Sequence, residues 1–160
     1  MKKEKSNYPV LRERVRSGDV LAWKGKGLGS RIIRWGTNSP YTHVGIAQRV
    51  GNRVMVLEAM PGGVRMMPLS KRLPAYHVPV DRTWDDERRD RAWQDVGLGY
   101  SYIDALITGI RAYTGIRMKT RMPGRHCSEY VGHVLGIAGN PSPGEVVRAC
   151  KNIGEPMLLK

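Results

Sequence analysis

Three side chains in this sequence have the types needed to build an activated nucleophile: Cys127, His43 and Glu58. A thiol attacks a carbonyl carbon as its thiolate, an imidazole takes and returns the proton, and a carboxylate orients the imidazole and stabilises its charged form. Cys127 opens the segment CSEYVGHVL, in which Tyr130, Val131, Val134 and Leu135 form an apolar stripe at helical spacing. It therefore stands at the N-terminus of a predicted helix, where unpaired N–H groups and the positive end of the helix dipole favour a thiolate. The same N–H groups, that of Cys127 included, are suited to donate to the oxyanion of a tetrahedral intermediate.

His43 and Glu58 lie on two β-rich runs, 41–50 and 53–59, separated by Gly51-Asn52. A two-residue loop of this kind predicts a hairpin. Pairing Val50 with Arg53 and counting outwards sets Gly45 opposite Glu58 and His43 opposite Met60. His43 and Glu58 then share a face as diagonal neighbours, roughly 5–8 Å apart at Cβ, within reach of a carboxylate–imidazole hydrogen bond. Val54, Val56 and Glu58 alternate along that face, so the carboxylate takes a place where packing favours an apolar residue and needs a polar partner. Each residue also has a plainer reading. A lone cysteine is commonly a small buried hydrophobe, a strand histidine is commonly structural, and Glu58 faces solvent if the register slips by one residue. His126 adjoins Cys127 but points away from it at a helix start, which makes it a poor base. His77 and His133 read as structural, and Cys150 as a packed residue near the end of the last helix.

The elements that must position these groups follow from pattern and punctuation. A turn at Arg16-Ser17-Gly18-Asp19 precedes a first strand at Val20-Leu21-Ala22-Trp23, and the runs 64–69 and 75–80 add further strands, making a small antiparallel sheet. A capping-box-like start at Thr83-Trp84-Asp85-Asp86 opens a helix to about Val96, and 101–113 forms a second helical stretch. Ser142-Pro143-Gly144-Glu145 combines an N-cap, a proline at the first helical position and an acid at the third, starting a short helix through Cys150. A short helix is expected within 30–36. The glycine-rich loop 24–29 lacks the ending of a Walker motif, and a basic loop spans 115–125. The division expected is a basic N-terminal extension, 1–16, and a single catalytic domain, 17–160.

At 160 residues and 41% hydrophobic, the chain is long enough for one core without disulfides or metals. Two cysteines are too few for a disulfide framework, and a reactive thiol suits a reducing compartment. No apolar run approaches the ~20 residues of a membrane span, and the basic N-terminus lacks the apolar region of a secretory signal. The expectation is cytoplasmic synthesis, with release by lysis, in a phage particle or through specialised secretion. A net charge of +13 favours anionic polymers or an anionic membrane surface. No zinc-finger, RNA-binding or basic-zipper signature accompanies it, so specific nucleic-acid recognition is not expected. Nor is a cofactor or metal: His126, Cys127 and His133 lack a recognised ligand spacing and a fourth ligand.

Five segments, in order, carry a family resemblance: Ser17-Gly18-Asp19-Val20-Leu21, Tyr41-Thr42-His43-Val44-Gly45-Ile46, Leu57-Glu58-Ala59, Gly99-Tyr100-Ser101-Tyr102 and Arg125-His126-Cys127-Ser128-Glu129-Tyr130-Val131. The sequence resembles the permuted branch of the NlpC-type papain-like superfamily, especially the YaeF/YiiX family, and more distantly the lecithin:retinol acyltransferases. The resemblance implies an α+β, circularly permuted papain-like fold with a small antiparallel sheet or barrel packed on helices. It implies cleavage of amide or ester bonds with Cys127 as nucleophile, His43 as base and Glu58 as third member. It makes Tyr41, two residues before His43, a candidate oxyanion donor or substrate contact, and Tyr100 a candidate substrate contact. The acyltransferases often carry Asn-Cys-Glu-His at the nucleophile and a second histidine as third member. His126-Cys127-Ser128-Glu129 and Glu58 place this chain on the YaeF/YiiX side. The leading expectation is an amidase or peptidase acting on peptides, including those of peptidoglycan. The alternatives are a lipid or acyl-ester hydrolase or acyltransferase with the same residues, and a non-catalytic basic binding module.

Overall fold

The strands of this chain are short, alternating runs closed by tight turns, and they pair with their sequence neighbours wherever a two-residue turn allows it. The computed structural model describes residues 6–25, 34, 38–97, 126–150 and 154–160. Six strands, β1 (Val20–Trp23), β2 (His43–Val50), β3 (Arg53–Met60), β4 (Gly63–Pro68), β5 (Ala75–Val78) and β6 (Met157–Leu159), form one open sheet in the order β4-β3-β2-β1-β5-β6. Every pairing is antiparallel. Of the expected sheet or barrel, the structure is the sheet. Gly51 takes a positive φ of 56° in the β2–β3 turn, a conformation that a residue without Cβ adopts at no steric cost. Val50 consequently pairs with Arg53 and Ile46 with Leu57, the register counted from Gly51-Asn52.

Four α-helices accompany the sheet among the described residues: α1 (Tyr8–Leu11), α2 (Asp86–Gln94), α3 (Cys127–Leu135) and α4 (Pro143–Cys150). The start of α2 lies later than Thr83, because Asp85 is the residue that caps it, accepting from the Arg88 N–H at 2.8 Å. At α4 the reciprocal box forms: the Glu145 N–H donates to Ser142 Oγ at 3.3 Å, and the Ser142 N–H to Glu145 Oε2 at 2.7 Å. The helices expected at 30–36 and 101–113 and the loop 115–125 lie outside the described residues, apart from Arg34.

The alternation of the strands divides the core in two. Val44, Ile46, Leu57 and Ala59 join Tyr130, Val131, Val134 and Leu135 of α3 and Val146 and Val147 of α4 in one buried cluster. Ala47, Val54 and Val56 point to the other face and pack with Val15, Leu69 and Leu159. The described part of the expected N-terminal extension covers that second face. Val15 is fully buried, Arg49 Nη1 donates to the carbonyls of Arg12 and Val15 at 3.1 Å each, and the Tyr8 N–H donates to the Lys160 carbonyl at 3.1 Å. Strand β6, too short and weakly patterned to stand out in the sequence, is held beside β5. Asn7 Nδ2 donates to the Leu158 carbonyl at 3.0 Å, tying the two ends of the chain together.

Candidate active site

Alternation puts His43 and Glu58 on the face of the sheet away from α3, yet His43 is the first residue of β2, at the end of the strand. Cys127 is the first residue of α3. The nucleophile candidate comes from the helix side and the candidate base from the other side, and they meet where the strand begins. Helix α3 starts at Cys127 because His126 caps it: its Nδ1 accepts from the Glu129 N–H at 3.3 Å and faces Ser128 Oγ at 3.2 Å, while Nε2 lies 2.6 Å from Asn140 Oδ1. Burial opposes a charge on this imidazole and Cys127 favours one. Its role as acceptor at the helix end requires Nδ1 to be unprotonated. Gly136, at φ 68°, closes the other end of α3.

Burial by itself raises a thiol. At Cys127 the charge and hydrogen bond of His43, with His126 also beside the sulfur rather than pointing away from it as its place at a helix start suggests, outweigh it and bring the thiol down to about 5. Burial likewise works against the His43 imidazolium, but the Cys127 thiolate and the bond to Glu58 raise it to about 9. Between these values the pair is a thiolate and an imidazolium. Cys150, buried without such neighbours, is pushed up to about 11 and lacks thiolate character at neutral pH.

His43 Nε2 lies 2.8 Å from Glu58 Oε2, which leaves Nδ1 for the sulfur. The Glu58 side chain is fully buried, and its ionised form is held by more than His43. Arg72 Nη2 donates to Oε2 at 2.8 Å and Arg65 Nη2 to Oε1 at 3.3 Å. Burial pushes the carboxyl up, while His43 and Arg72 hold it down, and the net result is a lowered value. Close strand contact sets this geometry. A Cβ on Gly45 would come within 2.8 Å of Val56 Cγ2, 2.9 Å of the Leu57 carbonyl and 3.3 Å of Glu58 Cβ.

The structure brings Cys127, His43 and Glu58 together. Tyr41 lies just before β2 rather than on it; its ring meets Tyr76 edge-on at 5.6 Å, with the Lys24 ammonium 5.6 Å from its centroid. Tyr100 lies outside the described residues. His77 is buried against Asp19, Nε2 to Oδ2 2.7 Å, and links β5 to the turn before β1. Sequence reasoning missed both arginines on Glu58. Arg65 was within reach, because a Pro61-Gly62 turn pairs Met60 with Gly63 and therefore Glu58 with Arg65. Arg72 follows a one-turn helix after β4 and carries no pattern that distinguishes it from the other basic residues.

No protein-family model and no curated protein matches the sequence. Among solved structures five chains match. One is the crystal structure of the metalloprotein YiiX from Escherichia coli O157:H7, 20% identical, with a TM-score of 0.55 over 91% of this chain and 89% of that one. The two share a fold. At that level the likeness fits the YiiX resemblance read from the five segments. Among the described residues no group of three or more His, Cys, Asp or Glu side chains is disposed to hold a metal ion. The oxygens of Glu58 already face two guanidinium cations, which would repel one.

Proposed function

We propose that this chain is a cysteine hydrolase of amide bonds, built as a permuted papain-like domain and acting on peptides such as those of peptidoglycan. The observation that supports it most is the chain of contacts at one sheet end: a thiol at a helix N-terminus, the imidazole of His43 beside it, and a buried carboxylate 2.8 Å behind that imidazole. In this reading the Cys127 thiolate attacks the carbonyl carbon, and the oxyanion is met by first-turn N–H groups of α3, those of Cys127 and Ser128. The N–H groups of Glu129 and Tyr130 are already directed to His126. His43 Nδ1–H protonates the departing amine, leaving a thioester on Cys127. His43 then removes a proton from water, the hydroxide attacks the thioester, and the thiolate leaves. Glu58 keeps the ring aligned and stabilises its charge throughout. The net charge of +13 suits approach to an anionic wall polymer, reached after lysis, from a phage particle or by specialised secretion.

Digestion of purified peptidoglycan, followed by mass spectrometry of the released muropeptides, tests the reading. A new amine and carboxylate at one peptide bond, absent with Cys127→Ala, is the expected result. Turnover that survives Cys127→Ala overturns the mechanism. Cleavage confined to acyl esters moves the substrate to lipids with the same residues in the same roles.

A further inference from the structure

The acceptor capacity of Glu58 is divided between the base and a cation. Oε2 receives His43 Nε2 and Arg72 Nη2 at the same distance, 2.8 Å, on a carboxylate without solvent exposure. Arg65 touches the other oxygen at 3.3 Å, but its side chain is 44% exposed, against 24% for Arg72, so water screens it more. Arg72 is also anchored independently of Glu58. Its carbonyl accepts from Trp23 Nε1–H at 2.7 Å, and its guanidinium lies 5.2 Å from the Trp23 ring centroid. The Trp23 ring in turn lies 5.2 Å from that of His43, tilted by 45°. His43, Glu58, Arg72 and Trp23 thus close a ring of contacts around the base. Arg72 Nε is buried without a partner among the described residues, so Glu58, the indole face and a longer contact of Nη2 with Met60 Sδ at 3.9 Å are what hold the guanidinium.

Resting on the reading of Cys127, His43 and Glu58 as the reacting set, we propose that Arg72 is the positioning residue of this site. It fixes the Glu58 carboxylate and, by sharing Oε2 with His43, limits how strongly that carboxylate stabilises the imidazolium. The limit matters for turnover. A base that holds its proton too firmly is slow to give it to a leaving amine, and the rate depends on matching that affinity to the operating pH. The charges that face His43 are the Cys127 thiolate from α3, Glu58 from β3, and behind Glu58 the guanidiniums of Arg65 from β4 and Arg72. His126 lies beyond Cys127 at the α3 cap.

The test replaces Arg72 and follows the His43 imidazole by NMR across pH, its resonance assigned with His43→Gln, alongside turnover. Removing the cation favours the imidazolium, so in Arg72→Met the His43 midpoint and the alkaline limit of turnover move up by roughly 0.5–1 in pH. kcat/KM falls by about tenfold as Glu58 loses an anchor. Arg72→Lys keeps the charge and holds the midpoint close to that of the unaltered protein. If Arg72→Met does not fold, Arg72→Gln, which still hydrogen-bonds Glu58 without charge, carries the same upward expectation. A support of purely structural kind would release Glu58 from His43 when lost and move the midpoint down or leave it in place. Either of those results overturns the proposal. The NMR readout needs no substrate: an upward shift without turnover on any amide or ester supports Arg72 while removing the hydrolase reading.

Discussion

Replacing Glu58 separates charge from shape at this site. Across 2.8 Å and an effective dielectric of about 20, an imidazolium and a carboxylate attract by about 6 kcal/mol, which is a ceiling. A neighbouring opposite charge shifts a pKa by about 1–3 in practice, so about 2 kcal/mol is the part lost with the charge, a factor of ~30. Glu58→Gln keeps an acceptor for His43 and Arg72 and loses the charge, so turnover should fall ~30-fold. The Gln amide NH2 then faces Arg65, which is exposed enough to swing away. Glu58→Ala also frees the imidazole to rotate and should lose ~10²–10³-fold, less than the ~10⁴-fold known where the tautomer is inverted as well. Removing one partner of a buried ion pair costs about 3–5 kcal/mol, and the partial exposure of Arg65 and Arg72 brings Glu58→Ala to the low end of that range. Stability is read by denaturant unfolding and activity by muropeptide release, with iodoacetamide labelling of Cys127 showing that the nucleophile is still in place. Combining Glu58→Ala with His43→Ala should add little to the loss from His43→Ala alone, because residues acting as a unit are not additive. Full turnover with unaltered stability in Glu58→Ala would refute the whole arrangement.

Four further outcomes follow from the same geometry. Cys127 should alkylate on the order of 10²–10³-fold faster than Cys150 at neutral pH, since both are buried but only Cys127 is a thiolate; mass spectrometry showing equal labelling removes it as nucleophile. Alkylation of Cys127 should rise through about pH 5 and then stay high. Turnover should rise with it and fall again through about pH 9, where the imidazolium loses the proton needed by the leaving group; a fall in both together contradicts the assignment of the two groups. Gly45→Ala should destabilise by ~1–3 kcal/mol in denaturant unfolding and lower turnover by displacing β3, and an unshifted unfolding midpoint shows that the strands can separate freely. Raising salt should slow turnover on an anionic polymer far more than on a small neutral fragment, and identical salt curves detach the +13 charge from substrate approach.

The parts of this protein that were legible beforehand are those that depend on neighbours in sequence. Gly51-Asn52 specifies a two-residue turn, the turn specifies the register, and the register puts Glu58 beside His43 with no further information. The apolar stripe after Cys127 specifies a helix and hence a thiol at its N-terminus, and Ser142 with Glu145 specifies the start of α4. Local rules go wrong where two candidate caps compete: both Thr83 and Asp85 suit a helix start, and only Asp85 reaches the Arg88 N–H. They also assign Tyr41 to the strand face of His43, whereas the strand begins after it, against Tyr76 of a distant segment.

By itself, then, the sequence determined an α+β chain with a hairpin that pairs a histidine and a carboxylate, and a separate helix that presents a cysteine. Only the tertiary structure decided that these two pieces face one another. They lie 84 residues apart in the numbering of His43 and Cys127 (127 − 43) and on opposite sides of the sheet, and their meeting depends on how α3 docks against β2 and β3. It also decided the charge of the site. Arg72 reaches Glu58 from a segment with no pattern pointing there, because a long polar side chain is placed by the packing of its own element and not by periodicity, and Trp23 meets His43 through the register of β1 on β2, which no turn between them fixes. A turn or a stripe is encoded by adjacent residues, whereas the electrostatics of a buried carboxylate is the sum over whatever the fold brings within a few ångströms.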